Sequence, residues 1–229
     1  MSDELKQEYA DKSRSYFEHL RPEMLARFPA GARRALDVGC GAGVFGAELK
    51  KKTGCEVWGV EPDGQAFAQA VTQLDRAVHG FFGADLGLPE QFFDCIYFND
   101  VLEHMVEPAV ALALASKLLA KNGRVIASVP NLRHFPTLWR LVMRGEWNYA
   151  ECGILDHTHL RFFTRSSLEE FFRANGFKIL QLDGFNAFTY TRADDHPLWK
   201  YYRIISRLPN RHFFDMRFMQ FAVVAEVAT

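Results

Sequence analysis

The sequence predicts an α/β fold in which one mostly parallel, seven-stranded sheet carries helices on both faces. From Arg34 onward, short apolar runs alternate with helical segments, which is the pattern of successive βαβ units. A glycine-rich turn follows the first of these runs and opens the first of these helices. Open α/β folds bind ligands at the carboxyl ends of their strands, so we expect a ligand site at this turn.

The individual elements are predicted from apolar runs and from their start and stop residues. The strand candidates are residues 36–38, 57–60, 77–81, 93–98, 125–129, 177–182 and 219–227. Helices are expected over 44–52, 63–74 and 106–120, the last ended by Asn122-Gly123. A further helix is expected to begin at Thr164 as N-cap and to end at Gly176. Residues 131–163 lack a clear period and are predicted to be an insertion that covers the site.

Composition narrows the class of protein. A chain of 229 residues that is 48% hydrophobic can bury one good core, so we predict a single domain over residues 1–229. A net charge of −1 gives no indication of a nucleic-acid partner. The four cysteines form no CxxC pair, which favours reduced thiols over disulfides or zinc. With no signal peptide and no apolar run of membrane-spanning length, we expect a soluble cytoplasmic protein.

Basic and aromatic residues concentrate in two stretches after residue 130. Such a mixture suits a sugar ring with an anionic tail, an acidic membrane surface, or a solvated or dimer-forming face. Membrane contact and homodimerisation are compatible with this composition but are not predicted. The residues are Arg133, Arg140, Arg144, Lys200, Arg203, Arg207 and Arg211, with Trp139, Trp147, Trp199, Tyr201 and Tyr202.

The glycine-rich turn indicates a nucleotide-like cofactor. Gly39, Gly41 and Gly43 permit φ > 0 and close approach of the backbone to a ligand. Gly41-x-Gly43-x-x-Gly46 also satisfies the dinucleotide fingerprint, with Glu61 about 20 residues further on, as that motif requires. Against it, Asp37 precedes the turn and would repel a pyrophosphate. An acid there suits a cationic group, such as the amino group or sulfonium of S-adenosylmethionine.

The segment Asp37-Val38-Gly39-Cys40-Gly41-Ala42-Gly43 resembles the first motif of class I S-adenosylmethionine-dependent methyltransferases. The resemblance extends roughly over residues 16–176 and is strongest to small-molecule O-methyltransferases of quinone and sugar or glycan biosynthesis. It implies a Rossmann-like sheet whose last strand is antiparallel beside the sixth. It also implies lid helices over 1–29, a cofactor-binding core over 30–130, and acceptor-side insertions over 131–163 and 186–216. Asp37, Gly39, Cys40 and Gly41 would contact the cofactor.

Two further acids belong to the predicted adenosine site. Glu61 ends the second strand and can accept hydrogen bonds from both ribose hydroxyls, and Pro62 after it is also expected to contact the cofactor. A helix-capping role for Glu61 is the alternative, although Asp63 can already cap that helix. The resemblance places Asp85 at the adenine amino group and the N–H of Leu86 at a ring nitrogen. An exposed turn aspartate is the alternative for Asp85.

The methionine end of the cofactor is assigned by resemblance. It places Asn99 beside the methionine and the reacting methyl group, and it makes the next residue, Asp100, a cofactor-binding residue as well. It also places Tyr16 and Arg21 near the methionine carboxylate. For Tyr16 and Arg21 the alternative is an ordinary amphipathic cap helix.

Three histidines are candidates for taking a proton from the acceptor. Leu102-Glu103-His104 is typical of the quinone and sugar branch, and His104 is the first candidate for a general base. Its alternative is a histidine that only packs beside the cofactor. In Asp156-His157-Thr158-His159, the resemblance places His157 and His159 on the acceptor side. Either could be the base, or the cluster could be structural. Metal ligation ranks third, and no metal is predicted.

These features predict S-adenosylmethionine-dependent O-methylation of a small acceptor that could be lipid-linked or anionic, such as a sugar or glycan intermediate. A quinone-type hydroxylated aromatic is the second acceptor class. The alternatives from other classes are an NAD-dependent oxidoreductase and a non-catalytic S-adenosylmethionine-binding module.

Overall fold

The computed structural model describes residues 20–187 and 211–228. The strands in these ranges form one seven-stranded sheet. Its order is β3-β2-β1-β4-β5-β7-β6. The first five strands of that order pair in parallel, whereas β7 runs antiparallel to both β5 and β6. The predicted fold class is therefore confirmed. The strands are β1 (Arg34–Val38), β2 (Glu56–Glu61), β3 (Arg76–His79), β4 (Phe93–Asn99), β5 (Leu119–Pro130), β6 (Phe177–Ala187) and β7 (Phe218–Val227).

Helices cover both faces of this sheet. Consecutive residues of a strand point to opposite faces, and on β1 Ala35 and Leu36 belong to different core clusters. The helices are α1 (Pro22–Leu25), α2 (Val44–Thr53), α3 (Gly64–Gln73), α4 (Pro108–Leu118), α5 (Phe135–Arg144), α6 (Arg165–Ala174) and α7 (Arg211–Asp215). The cluster that contains Leu36 takes in α4 and α6, and the cluster that contains Ala35 takes in α1, α2 and α3. Within the described ranges, no helix has the length and apolar character needed to cross a bilayer.

Several predicted helix boundaries hold because their caps are present. Asp63 caps α3 by accepting from the N–H groups of Gln65 and Ala66 at 3.0 and 2.8 Å. Thr164 caps α6 and exchanges hydrogen bonds with Ser167 in a capping box. Pro22 lies in the first turn of α1, while residues 1–19 of the expected lid, including Tyr16, lie outside the described residues.

Other boundaries were predicted wrongly. The helix expected over 106–120 ends at Leu118, because Leu119 already pairs with Phe93 in the sheet. Asn122 therefore lies within β5 and does not end a helix. The third strand ends at His79, before the predicted residue 81.

The two predicted insertions contain more regular structure than expected. Within 131–163, α5 buries Phe135 with Leu138 and Trp139 against Phe213 and Met216, so this segment has a helical period that the sequence analysis missed. β6 continues to residue 187, inside the stretch 186–216 assigned to the second insertion. The rest of that stretch up to residue 210, including its basic and aromatic residues from 199 to 207, lies outside the described residues.

Candidate active site

The turn between β1 and α2 has a backbone that favours glycine. Gly39, Gly41 and Gly43 have φ angles of 68°, 55° and 83°, in the left-handed region that side chains rarely adopt. At Gly39 an added Cβ would also lie 2.8 Å from a methyl carbon of Val101, just after β4. The turn therefore presents backbone without side chains at the carboxyl end of the sheet.

The neighbouring motif residues face the interior. Cys40 is buried, and a Cβ on Gly59 would lie 2.5 Å from the Cys40 sulfur. Only the backbone of Cys40 is therefore available to a cofactor. A Cβ on Gly46 would lie 2.6 Å from a methyl carbon of Leu74. The last glycine of the dinucleotide fingerprint is thus explained by close packing and requires no ligand.

Asp37 and Asn99 form a buried polar pair at the ends of β1 and β4. Asp37 is 2% exposed, and the Asn99 amide nitrogen donates to its Oδ1 at 3.3 Å. Burial raises the pKa of Asp37 to about 7, with Arg21 and Asn99 opposing the rise and Glu61 adding to it. The Oδ1 of Asn99 is also buried and has no hydrogen-bond partner among the described residues. Both oxygens therefore suit a ligand that carries N–H donors and positive charge.

Glu61 ends β2 and is fixed by two backbone groups. It is 1% exposed, and its two carboxylate oxygens accept from Gly41 N–H at 2.8 Å and Asp63 N–H at 2.9 Å. Burial raises its pKa, while these two hydrogen bonds oppose the rise. Asp63, and not Glu61, caps α3 through its side chain. Each oxygen of Glu61 retains acceptor capacity, which two adjacent ribose hydroxyls would use.

A cavity of about 450 Å³ lies beside the ends of β1 and β2, and we call it the first cavity. Its wall includes Phe81 and Phe82, which follow β3 and which sequence reasoning did not select. The sequence signal that could have found them is the pair of adjacent aromatic residues near the end of the third strand. Other residues of its wall are Gly39, Pro62, Val101 and His104. Aromatic and aliphatic walls beside strand-end acids suit a purine base joined to a ribose.

Asp85 and Leu86 lie in a single 3₁₀ turn, Ala84–Leu86, after β3. The Asp85 side chain is exposed, whereas Leu86 is half-buried and packs against the core. Neither is among the described residues that line the first cavity. The adenine contact suggested for Asp85 therefore stays a prediction.

His104 has a fixed ring orientation. Its Nδ1 lies 3.1 Å from the carbonyl oxygen and 3.0 Å from the hydroxyl oxygen of Thr158. The single hydroxyl proton of Thr158 is donated to Asp156 at 2.7 Å, so both Thr158 oxygens accept from the imidazole. His104 therefore carries a proton on Nδ1, and its basic nitrogen is Nε2. Sequence reasoning quoted Thr158 within its motif but gave it no role.

The structure brings His104 and His159 together but leaves His157 in its own loop. The His104 and His159 rings are 4.7 Å apart, and His159 Nδ1 lies 3.0 Å from the carbonyl oxygen of Ile154. Potential ligand atoms of Glu103, His104 and His159 lie within 4.8 Å of one another, a grouping that could hold a metal ion. The sequence pattern instead offers Asp156, His157 and His159 as the candidate metal-binding group.

His157 is half-buried, and its Nδ1 lies 3.2 Å from the Ala150 carbonyl oxygen of the same insertion. The insertion itself is attached to the turn that carries His104. The N–H groups of Leu160 and Arg161 donate to the Glu103 carbonyl oxygen at 2.8 and 3.0 Å. Docking of this segment therefore sets the surroundings of His104.

Asp100 lies at the centre of a second polar network. Its Oδ2 accepts from Arg21 at 2.7 Å and from Gln220 at 2.6 Å, and its Oδ1 accepts from Ser128 at 2.6 Å. Burial would raise the pKa of Asp100, but Arg21 and these hydrogen bonds hold it below its ordinary value. Asp100 is therefore ionised at neutral pH. The amide of Asn186 extends the network by donating to Gln220 Oε1 at 2.6 Å.

A further cavity of about 440 Å³ adjoins this network, and we call it the second cavity. The residues that matter for its chemistry are Arg21, Glu23, Asp100, Cys152, Asn186 and Gln220. Because Asp100 lines this cavity and Val101 lines the first, the two cavities adjoin the same loop after β4.

Comparison with known proteins assigns the family. A family model described as a methyltransferase domain matches residues 7–182. The chain therefore belongs to the S-adenosylmethionine-dependent methyltransferase family, as the first motif indicated.

Individual relatives are distant. A ubiquinone biosynthesis O-methyltransferase from Bradyrhizobium diazoefficiens is 26% identical over 161 residues, 67% of this chain and 62% of the relative. A trans-aconitate 2-methyltransferase from Methylobacterium radiotolerans is 34% identical over 140 residues, 58% of this chain and 54% of the relative. Both alignments cover less than two thirds of the relative's length. A solved SAM-dependent methyltransferase from Archaeoglobus fulgidus has a TM-score of 0.66 at 20% identity, covering 96% of this chain and 97% of that one, which supports the fold alone.

The side chains present fit the cofactor of this family. S-adenosylmethionine carries an ammonium and a sulfonium, and the Asp37–Asn99 pair offers a carboxylate and an unpartnered buried amide oxygen. Glu61 has acceptor capacity for a ribose, and the first cavity has an apolar wall for a purine. Asp37 beside the turn disfavours a pyrophosphate, so an NAD site fits less well.

Proposed function

We propose that this protein methylates a hydroxyl group of a small acceptor with S-adenosylmethionine as methyl donor. The observation that carries the proposal is the buried Asp37–Asn99 pair at the ends of β1 and β4. A buried carboxylate whose pKa is raised to about 7, beside an amide oxygen that has no partner among the described residues, suits a ligand with a positive charge and N–H donors.

The residues divide into two groups by what they would hold. Glu61 would hold the ribose, and the first cavity, with Phe81 and Phe82 on its wall, would take the adenine. Asp37 and Asn99 would hold the methionine part. When bound, the cofactor supplies a methyl carbon that an oxygen nucleophile can attack in line. The protein then has to align the acceptor and to receive a proton, and alignment alone can contribute several kcal/mol.

His104 is our proposed proton acceptor. Thr158 holds Nδ1–H, so Nε2 is the nitrogen that takes a proton. An ordinary histidine has a pKa of about 6.5 and is suited to this role at neutral pH. The ring lines the same cavity as Gly39 of the glycine turn, which supports a position near the bound cofactor.

The acceptor class we propose is a sugar or glycan hydroxyl, since the second cavity beside Asp100 has hydrogen-bonding side chains on its wall. The ubiquinone O-methyltransferase relative makes a hydroxylated aromatic the second candidate.

The test is transfer of the labelled methyl group of S-adenosylmethionine to neutral glycosides, catechols and tricarboxylates, with formation of S-adenosylhomocysteine as a second readout. The proposal predicts a labelled methyl ether. Incorporation only into a carboxyl ester of the tricarboxylate would contradict the assignment of a hydroxyl acceptor. Binding of the cofactor without transfer to any acceptor would favour the non-catalytic binding module.

A further inference from the structure

The first and second cavities adjoin different strand ends and meet at the loop after β4. The sheet order is β2, β1, β4, β5, β7. The first cavity adjoins Val38 and Val60 at the ends of β1 and β2, whereas the second adjoins Asp100 after β4 and Gln220 on β7. If the adenosine occupies the first cavity and the methionine reaches Asn99, the acceptor can occupy the second cavity with its reacting hydroxyl at the loop after β4, which joins Asp100 to Val101 and His104 on the wall of the first cavity. This step assigns Arg21 and Asp100 to the acceptor side, whereas the resemblance implies that they contact the cofactor. This step rests on the proposed function.

Hydrogen bonds within the protein already fix the side chains on the wall of the second cavity before any ligand binds. Arg21, Asp100 and Asn186 have φ angles of 44°, 55° and 49°. Non-glycine residues adopt this left-handed conformation uncommonly, and it concentrates at functional sites. The chain of hydrogen bonds from Arg21 through Asp100 and Gln220 to Asn186 fixes which groups remain for a ligand.

The charges of this wall argue against an anionic ligand. Arg21 already faces Asp100 at 2.7 Å, so its positive charge is compensated. Glu23 adds a negative charge to the same wall. The described wall is therefore slightly negative, in contrast to the arginine-rich insertions that favoured an anionic tail. Its remaining groups are carboxylate and amide oxygens and amide N–H donors, which pair with hydroxyl groups as donors and acceptors.

We infer that the second cavity binds a neutral, polyhydroxylated acceptor such as a sugar ring, through Asp100, Gln220 and Asn186. Gln220 is the specificity-determining residue, because it accepts from Asn186 and donates to Asp100 and so sets the pattern of donors and acceptors.

The experiment uses saturation-transfer NMR on the full chain with bound S-adenosylhomocysteine. The probes are methyl glycosides of common hexoses, trans-aconitate and a catechol. The variants are Gln220→Leu and Asn186→Gly, the latter keeping a residue that tolerates the left-handed backbone. The matched control is Gln181→Leu on β6, where the exposed side chain bonds Asp183. Calorimetry with S-adenosylhomocysteine is run on every variant.

We expect glycoside signals with the parent and with Gln181→Leu. Both cavity variants should weaken glycoside binding about tenfold, the effect of one or two lost hydrogen bonds, with unchanged S-adenosylhomocysteine affinity. Preferred binding of the tricarboxylate or the catechol, or of no probe, would overturn the inference. So would equal glycoside binding in all variants.

If the cavity variants lose S-adenosylhomocysteine affinity instead, the second cavity belongs to the cofactor and the inference fails. If the parent itself does not bind S-adenosylhomocysteine, the proposed function fails. The two failures are therefore distinguishable.

Discussion

The two cavities that adjoin the loop after β4 differ in what their walls offer. The first has aromatic and aliphatic walls and adjoins the strand ends that carry Asp37 and Glu61, whose pKa values are raised by burial. The wall of the second carries the Arg21–Asp100 ion pair and the amide side chains of Gln220 and Asn186. The pKa of Asp100 is lowered there. The difference lies in pairing, since Asp100 faces a guanidinium at 2.7 Å, whereas Asp37 is hydrogen-bonded to an amide. Although the charge of Arg21 opposes the raised pKa of Asp37, burial dominates there, and such an acid is suited to binding a further cation. An acid already paired, such as Asp100, is suited to neutral hydroxyls.

The largest expected effect is on turnover and comes from the first cavity. His104→Gln should lower kcat by roughly 10²–10⁴, the usual contribution of a general base, while cofactor affinity is preserved. His157→Gln should change at most the KM of the acceptor, because His157 bonds the backbone of its own insertion. Steady-state kinetics at saturating cofactor measure both. Turnover of His104→Gln near that of the parent would show that the proton goes elsewhere, with His159, whose ring lies 4.7 Å from that of His104, as the next candidate.

A metal-ligand role for His104 would also reduce turnover in that variant. Treatment with EDTA separates the two accounts. If His104 is the base, chelation leaves turnover unchanged. If Glu103, His104 and His159 hold a catalytic metal, activity falls with the chelator and returns with a divalent cation.

The next largest expected effect is on cofactor affinity, and it is tested by substituting two glycines, Gly39 and Gly31. Gly39 and Gly31 both have positive φ, so alanine is strained at both. Only at Gly39 does an added Cβ clash, 2.8 Å from Val101, whereas nothing lies within 4 Å at Gly31. Gly39→Ala should weaken S-adenosylhomocysteine binding by at least about tenfold, and Gly31→Ala should bind like the parent. Equal affinities of the two variants by calorimetry would mean that the turn is not the cofactor cradle.

A smaller effect concerns the pH dependence of cofactor binding. The pKa of Asp37 is raised to about 7, so below that pH the carboxyl is protonated and must lose its proton to attract a cation. S-adenosylmethionine affinity should therefore fall as pH decreases through 7, by at most about tenfold per pH unit. Asp37→Asn should bind more weakly and lose this dependence. Titrations between pH 6 and 8 would refute the assignment if the parent showed no slope.

The sheet and the cofactor motif were predictable from sequence because both depend on local patterns. Strand runs, the Asp63 and Thr164 caps and the glycine turn are each encoded within a few neighbouring residues. The helix α5 was missed although Phe135, Leu138 and Trp139 follow a helical period, whereas its packing against Phe213 and Met216 joins segments that are distant in sequence. The Thr158 bond to His104 and the Gln220 bond to Asp100 likewise join residues far apart in the chain. No local pattern could reveal them.

The central claim is that the buried Asp37–Asn99 pair belongs to a binding site for S-adenosylmethionine. Isothermal titration of the full chain with S-adenosylmethionine, S-adenosylhomocysteine, NAD and NADP tests it most directly. We expect both adenosyl ligands to bind and both dinucleotides to give no heat. Asn99→Leu, which removes the unpartnered oxygen, should weaken both adenosyl ligands. Tight binding of NAD with no response to either adenosyl ligand would contradict the claim.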